Sequence, residues 1–153
     1  MRLSQRDDDG IYHLTSDLAS DNIPLYAILS HTWGPDEVIY VDLAKTPDEW
    51  QQKDGYDKIR FCAQQAKRHG LRYFWVDTCC IDKSDSIEPQ TAIDSMFRWY
   101  RDVKICYVYL SDVSGTAATG AKDGTTSWEV VFRDSRWFTR GWTLQELWPC
   151  LKR

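Results

Sequence analysis

The sequence has few of the features that support a metal site or a membrane span. Its three histidines are scattered, and no two of its five cysteines have the Cys-x-x-Cys spacing of zinc sites. No apolar run approaches the roughly 18 residues of a spanning helix, and the opening MRLSQRDDDG contains no apolar signal segment. We therefore expect no metal cofactor, no transmembrane segment and a cytoplasmic location.

The charge balance also argues against a nucleic-acid partner. The net charge is −4 and no long basic run is present, so a phosphate backbone would find little to bind. The odd number of cysteines indicates reduced thiols, as in the cytosol or nucleus. The adjacent pair Cys79 and Cys80 is expected to pack as small buried hydrophobes.

Tryptophan, by contrast, is abundant. The chain of 153 residues contains eight tryptophans, and aromatic residues make up 14% of it. Because such rings bury large apolar areas, many of these rings should lie in the core or line a pocket. The length fits one domain, 1–153. A small, polar, aperiodic segment at 114–127 is expected to be a flexible loop.

Strand and helix patterns alternate along the chain. This alternation predicts an α/β fold: an open, mostly parallel sheet with helices on both faces. Strands are predicted at 25–30, at 71–82 with its end at Asp77, and at 104–113, with weaker ones at 11–14 and 38–43. Helices are predicted at 46–50, at 55–69 with Gly70 as a left-handed cap, at 88–103 with an apolar stripe of Ile93, Met96, Phe97 and Tyr100, and from Phe138 onward with Thr139 or Ser135 as cap.

Polar residues follow each of the three main strands. In parallel sheets the carboxyl ends of the strands border the ligand site. The strands end at Ser30 and His31, at Asp77, and at Asp112, so these residues should converge. Simpler roles stay open: His31 could anchor a loop and Asp77 could cap the following turn. Trp33 could be a pocket wall or a core residue.

The segment SRWFTRGWTLQEL, residues 135–147, contains the last candidates. Arg136 and Arg140 are four residues apart and could bind phosphate, or could pair with Asp134 and other surface acids. Glu146 could be a solvated helix residue. Trp142, one turn before it, could instead help to desolvate its carboxylate and make it functional.

Three blocks of sequence together resemble the fungal heterokaryon incompatibility (HET) domain. They are YAILSHTWG (26–34), FWVDTCCIDKSDSIEPQTAIDSMFRWYRDVKICYVYLSDV (74–113) and SRWFTRGWTLQELW (135–148). The resemblance implies a role in non-self recognition and programmed cell death. It also implies a relationship to the flavodoxin-like TIR fold.

The same resemblance implies an activity. Many TIR domains cleave NAD between nicotinamide and ribose with a glutamate in a WCxxE stretch, and WTLQE (142–146) has that spacing, with Thr143 in place of cysteine. It therefore implies an NAD(P) glycohydrolase with Glu146 as catalytic residue, with NAD or NADP as substrate and no cofactor. Arg140 or His31 could meet the pyrophosphate. The implied substrate-binding residues are Ser30, His31, Trp33, Gly34, Asp77, Arg140 and Trp142.

The resemblance leaves an alternative open. Family members usually continue after LQEL with an Ala-Pro step and another strand, whereas WPCLKR follows here, so the last strands of the sheet are expected to be lacking. The alternative is a non-catalytic TIR-like module that self-associates in signalling. Either reading is compatible with a homo-oligomer or a partner signalling protein.

Overall fold

A computed structural model of the protein describes residues 1–113 and 128–150. Within them, the strands are β1 (Ser4–Arg6), β2 (Tyr12–Leu14), β3 (Tyr26–His31), β4 (Tyr73–Trp75) and β5 (Ile105–Tyr109). The α-helices are α1 (Pro47–Trp50), α2 (Tyr56–Arg68), α3 (Asp77–Cys80), α4 (Glu88–Asp102), α5 (Trp128–Arg133) and α6 (Thr143–Cys150), and 3-10 helices cover Tyr40–Ala44 and Arg136–Thr139. The segment 114–127, predicted as a loop, lies outside the described residues.

The strands form one open sheet in the order β2-β1-β4-β3-β5. Its parallel part is β4-β3-β5, with Ile28 of β3 opposite Trp75 of β4 and Cys106 of β5. Placing the first parallel strand between the second and the third is the flavodoxin-like arrangement, so the predicted fold class is confirmed. The order also places β3, buried along its whole length, at the centre of the parallel part.

An antiparallel hairpin extends this sheet beyond β4. Strand β1 pairs antiparallel with both β2 and β4, which makes the sheet mixed. The prediction included β2 but missed β1, because Ser-Gln-Arg has neither apolar alternation nor β-branched residues. After β5, the part of the chain that the structure describes forms helices and no further strand.

Helices cover both faces of the sheet, as predicted. Phe61 of α2 meets Tyr107 and Tyr109 on one face. Trp99 and Tyr100 of α4 pack edge-on against Trp75 on the other face. The predicted end of α2 is also confirmed, since Gly70 has a φ of 70° and Leu71 donates its N–H to the Ala66 carbonyl.

Two element predictions near the strands are wrong. Residues 38–43 are not a strand, because the buried carboxylate of Asp42 binds the Ile39 N–H, Lys45 and Lys53 and closes a 3-10 turn. Burial opposes ionisation of Asp42, yet these donors outweigh it and lower its pKa to about 2. The second main strand is present as predicted, but it ends at Trp75 rather than at Asp77, because the backbone there turns into α3.

The buried face of α4 also differs from the prediction. Met96 and Tyr100 are buried as expected, but Ile93 and Phe97 are 40% and 45% exposed. Ala92 and Trp99 take their places, because Trp99 packs on Trp75 and its carbonyl accepts the Tyr26 hydroxyl at 2.6 Å.

The last segment is not one continuous helix. Ser135 caps the 3-10 helix by accepting the Trp137 N–H at 3.3 Å, as one of the two predicted caps. The 3-10 helix ends at Arg140, whose backbone is extended, and α6 begins three residues later at Thr143.

Most of the described tryptophan rings lie in the core, as the aromatic content predicts, and both adjacent cysteines are buried as well. Cys79 and Cys80 are buried, and both are free thiols. Buried rings are Trp50, Trp75, Trp99 and Trp137, and rings at the surface are Trp33, Trp142 and Trp148.

The described helices include none that is long and apolar enough to cross a membrane.

Replacing Trp75 by alanine tests the central packing. Trp75 is fully buried between the sheet and α4, so we expect Trp75→Ala to lower the free energy of unfolding by about 3–5 kcal/mol. The matched change Trp148→Ala, at a ring that is 58% exposed, should cost only about 0.5 kcal/mol. Urea denaturation measures both, and equal losses would contradict the assigned packing.

Candidate functional site

The site is built on the carboxyl end of β3. Ser30 and His31 are consecutive strand residues, so their side chains point to opposite faces of the sheet. Both are almost fully buried. A buried polar side chain needs a hydrogen-bond partner, and each of the two is the centre of its own network.

The network on the α2 side determines the tautomer of His31. Lys58 Nζ lies 3.2 Å from His31 Nδ1, and an ammonium can only donate, so Nδ1 accepts. On the other side of the ring, Nε2 donates to Asp77 Oδ1 at 2.8 Å. With both ring nitrogens engaged, and Ser30 on the other face, His31 does not activate Ser30 as a hydrolase nucleophile.

Lys58 was not identified from the sequence. Its ammonium is buried and donates to the Thr32 carbonyl at 3.0 Å and to Glu37 Oε1 at 2.5 Å, besides His31. The sequence did contain a signal, because Lys58 precedes Cys62 and Ala66 by four and eight residues, on the row of α2 that faces the core. A lysine in a buried row has to meet a buried partner.

Asp77 connects this network to the surface. Its Oδ1 accepts from His31, and its Oδ2 accepts the indole N–H of Trp33 at 2.8 Å. Burial disfavours the charged form of Asp77, but His31, Lys83 and Trp33 outweigh burial and lower the pKa of the carboxyl. Asp77 thus orients Trp33, and the simpler role of capping the following turn does not account for its contacts.

The network on the other face contains Glu146. Its side chain is 2% exposed, and Arg140 holds it with two hydrogen bonds, of 2.8 Å to Oε1 and 3.1 Å to Oε2. Ser30 Oγ donates to Oε2 and accepts the Trp137 indole N–H at 2.7 Å. The carboxylate is therefore held by Ser30 and Arg140, and the Trp142 indole, one turn before it, is 43% exposed.

The end of β5 anchors the segment that carries Arg140. Asp112 accepts the Ser135 hydroxyl and the Arg136 N–H, both at 2.8 Å. Burial opposes the ionisation of Asp112, but these donors prevail and lower the pKa of the carboxyl. Arg136 and Arg140 do not share a helix face: Arg136 is directed to solvent near Asp112, and Arg140 binds Glu146 rather than Asp134.

A cavity of about 720 Å³ lies at this edge of the sheet. It is lined by Trp33, Asp77, Lys83, Met96, Arg140 and Trp142, among others, and its wall is mostly apolar. Its volume is in the range of small-molecule sites. Among residues 1–113 and 128–150, no group of three His, Cys, Asp or Glu side chains could hold a metal ion.

The structure brings most of the expected site residues together. Trp33, Asp77, Arg140 and Trp142 line the cavity. Ser30, His31 and Glu146 lie directly behind this lining, through the hydrogen bonds to Asp77 and Arg140. Gly34, next to Trp33, donates its N–H to Glu37 Oε1 at 2.5 Å and so belongs to the same loop support.

Comparison with known proteins identifies relatives of this chain. A family described as heterokaryon incompatibility protein (HET) matches residues 26–129. The chain is 60% identical, over 149 residues, to the vegetative incompatibility protein HET-E-1 of Podospora anserina. That alignment covers 96% of this chain and 11% of the relative, so the chain spans about a tenth of the relative's length. No solved structure matches.

Removing the buried ammonium of Lys58 tests the network behind the cavity. Lys58→Met leaves the Glu37 carboxylate, 8% exposed, without its cation, so we expect the free energy of unfolding to fall by about 3–5 kcal/mol. The double change Lys58→Met/Glu37→Gln removes the unpaired charge and should recover at least about 1 kcal/mol of this loss. Lys67→Met, at an exposed position of α2, is the control in urea denaturation. A single variant as stable as the parent would contradict the assigned network.

Proposed function

The chain belongs to the heterokaryon incompatibility (HET) family, and on this basis we propose that it acts in fungal non-self recognition as an NAD(P) glycohydrolase whose activity drives programmed cell death. The observation that carries the proposed activity is the position of Glu146. Its carboxylate is buried at the carboxyl end of the central parallel strand and reaches the cavity through Arg140. The order of the parallel strands is compatible with the proposed relationship to TIR domains.

A single buried carboxylate suits this reaction. The bond between ribose C1′ and the nicotinamide nitrogen breaks with its electron pair moving to the nitrogen, which turns the cationic ring into neutral nicotinamide. Positive charge develops on the ribose, and a nearby anion stabilises it. Water then bonds to C1′ and releases a proton. Because the leaving group is cationic before cleavage, no general acid is needed.

In this proposal Glu146 is the catalytic residue and Arg140 controls access to it. The guanidinium of Arg140 occupies both carboxylate oxygens. Arg140 therefore has to turn away before ribose hydroxyls can take its place. Ser30 keeps the carboxylate in position from behind, and is itself fixed by the Trp137 indole.

The other expected residues take supporting roles. His31 has both ring nitrogens engaged, so it is a positioning residue that holds Asp77 rather than a pyrophosphate ligand. Trp33 and Trp142 form exposed walls of the cavity. The proposed setting is the cytoplasm, with NAD or NADP as substrate and with a homo-oligomer or a signalling protein as partner.

Exposed apolar residues favour a second candidate function, a non-catalytic module that self-associates. Helices α4 and α6 pack on each other. Each presents two apolar side chains to solvent four residues apart, namely Ile93 and Phe97 on α4, and Leu144 and Trp148 on α6. Under this alternative the concentrated protein assembles, as sedimentation would detect, but releases no nicotinamide.

Replacing Glu146 by glutamine tests the enzymatic proposal. We expect the concentrated parent protein to release nicotinamide from NAD or NADP, and Glu146→Gln to slow the release by at least about 100-fold, because the neutral amide cannot stabilise the ribosyl cation. Glu129→Gln, at an exposed position of α5, serves as the control. Thermal unfolding of each variant verifies folding.

Two results would count against the proposal. Nicotinamide release that survives in folded Glu146→Gln protein would remove Glu146 from the mechanism. Absence of release in the parent, at every concentration and with both nucleotides, would favour the self-association module.

A further inference from the structure

The charged side chains that line the cavity differ in the hydrogen bonds they already make with other residues. Asp77 is occupied by His31 and Trp33, and Arg140 by Glu146. Lys83 is different, because its ammonium makes no hydrogen bond or ion pair with any residue in the described parts of the chain. Its closest partner is the Trp33 ring, whose centroid lies 3.5 Å from Nζ.

This cation–π contact leaves the N–H groups of Lys83, an exposed residue, without a protein acceptor among the described residues. The ring attracts the positive charge through its face but accepts none of the three N–H groups in a conventional hydrogen bond. Desolvation lowers the pKa of Lys83, and the nearby Asp77 charge only partly opposes this effect. The ammonium therefore lies at the cavity, beside the Trp33 ring, where an anion could bind it.

The position of the ammonium is set by residues already described. Asp77 fixes the Trp33 indole through its N–H, and the indole in turn places Lys83 at the cavity. The rest of the lining includes Ile81, Ile93 and Met96, which offer apolar contact. An apolar wall with a cation directed into it suits a ligand that combines a flat ring system with a phosphate.

We propose that Lys83 is the phosphate-binding residue of this cavity, so that Lys83 makes the cavity prefer a nucleotide over the corresponding nucleoside. The inference rests on the proposed function, because it assigns the anionic part of the substrate of that same site. It also replaces the expectation that His31 meets the pyrophosphate, because Asp77 and Lys58 engage both of its ring nitrogens. Arg140 is engaged with Glu146 in this structure and is not assigned to the phosphate.

Calorimetric titration with adenosine, AMP and ADP tests this assignment, since none of the three contains a nicotinamide to be cleaved. We expect the parent protein to bind ADP at least about tenfold more tightly than adenosine, as a charge-assisted contact provides. Lys83→Met should lose that difference while keeping its adenosine affinity, and Lys83→Arg should retain most of it. Lys104→Met is the matched control, because Lys104 is exposed and directly precedes β5, at the opposite end of the parallel strands.

Each outcome bears on the inference. Equal binding of ADP and adenosine by the parent, no binding of either, or an undiminished ADP preference in folded Lys83→Met would overturn it. Failure of the proposed function is distinguishable, because phosphate-dependent binding through Lys83 can be present in a protein that releases no nicotinamide. Conversely, NAD cleavage with an unchanged KM in Lys83→Met would leave the glycohydrolase proposal intact and refute the role of Lys83.

Discussion

Two adjacent polar residues at the end of the central strand hold the functional edge of this protein together. Ser30 and His31 are buried on opposite faces of β3, where an unpaired polar group would cost several kcal/mol. Each therefore needs partners from distant parts of the chain. His31 is bonded to Lys58 and Asp77, and Ser30 to Trp137 and Glu146.

The two networks have different consequences for chemistry. On the His31 side, the chain of contacts runs outward through Asp77 to Trp33 and Lys83, so buried electrostatics determine the position of an exposed ring and an exposed cation. On the Ser30 side, a carboxylate is kept out of water and neutralised by Arg140. A buried ion pair of this kind is costly to assemble and contributes little net stability. Its presence beside a cavity supports the proposal that Glu146 is catalytic.

Local patterns predicted much of this arrangement. Periodicity located α2 and α4 and the three parallel strands, and of the polar residues at the strand ends, His31 and Asp77 meet directly. The features that local patterns could not predict depend on contacts between residues that are far apart in the sequence. Asp42 turns 38–43 into a 3-10 helix through Lys53, and the packing of Trp99 on Trp75 decides which face of α4 is buried. The pairing of Glu146 with Arg140 likewise depends on the end of the 3-10 helix at Arg140, where the backbone becomes extended. Helical spacing alone does not predict this break.

The most direct test of a catalytic Glu146 is a crystal structure of the protein grown with ADP-ribose, the product of the proposed cleavage. We expect the ribose hydroxyls within hydrogen-bond distance of the Glu146 carboxylate, with the Arg140 guanidinium turned away from it. A structure in which ADP-ribose occupies the cavity while Arg140 still holds both oxygens of Glu146, or in which the nucleotide binds elsewhere, would contradict the assignment.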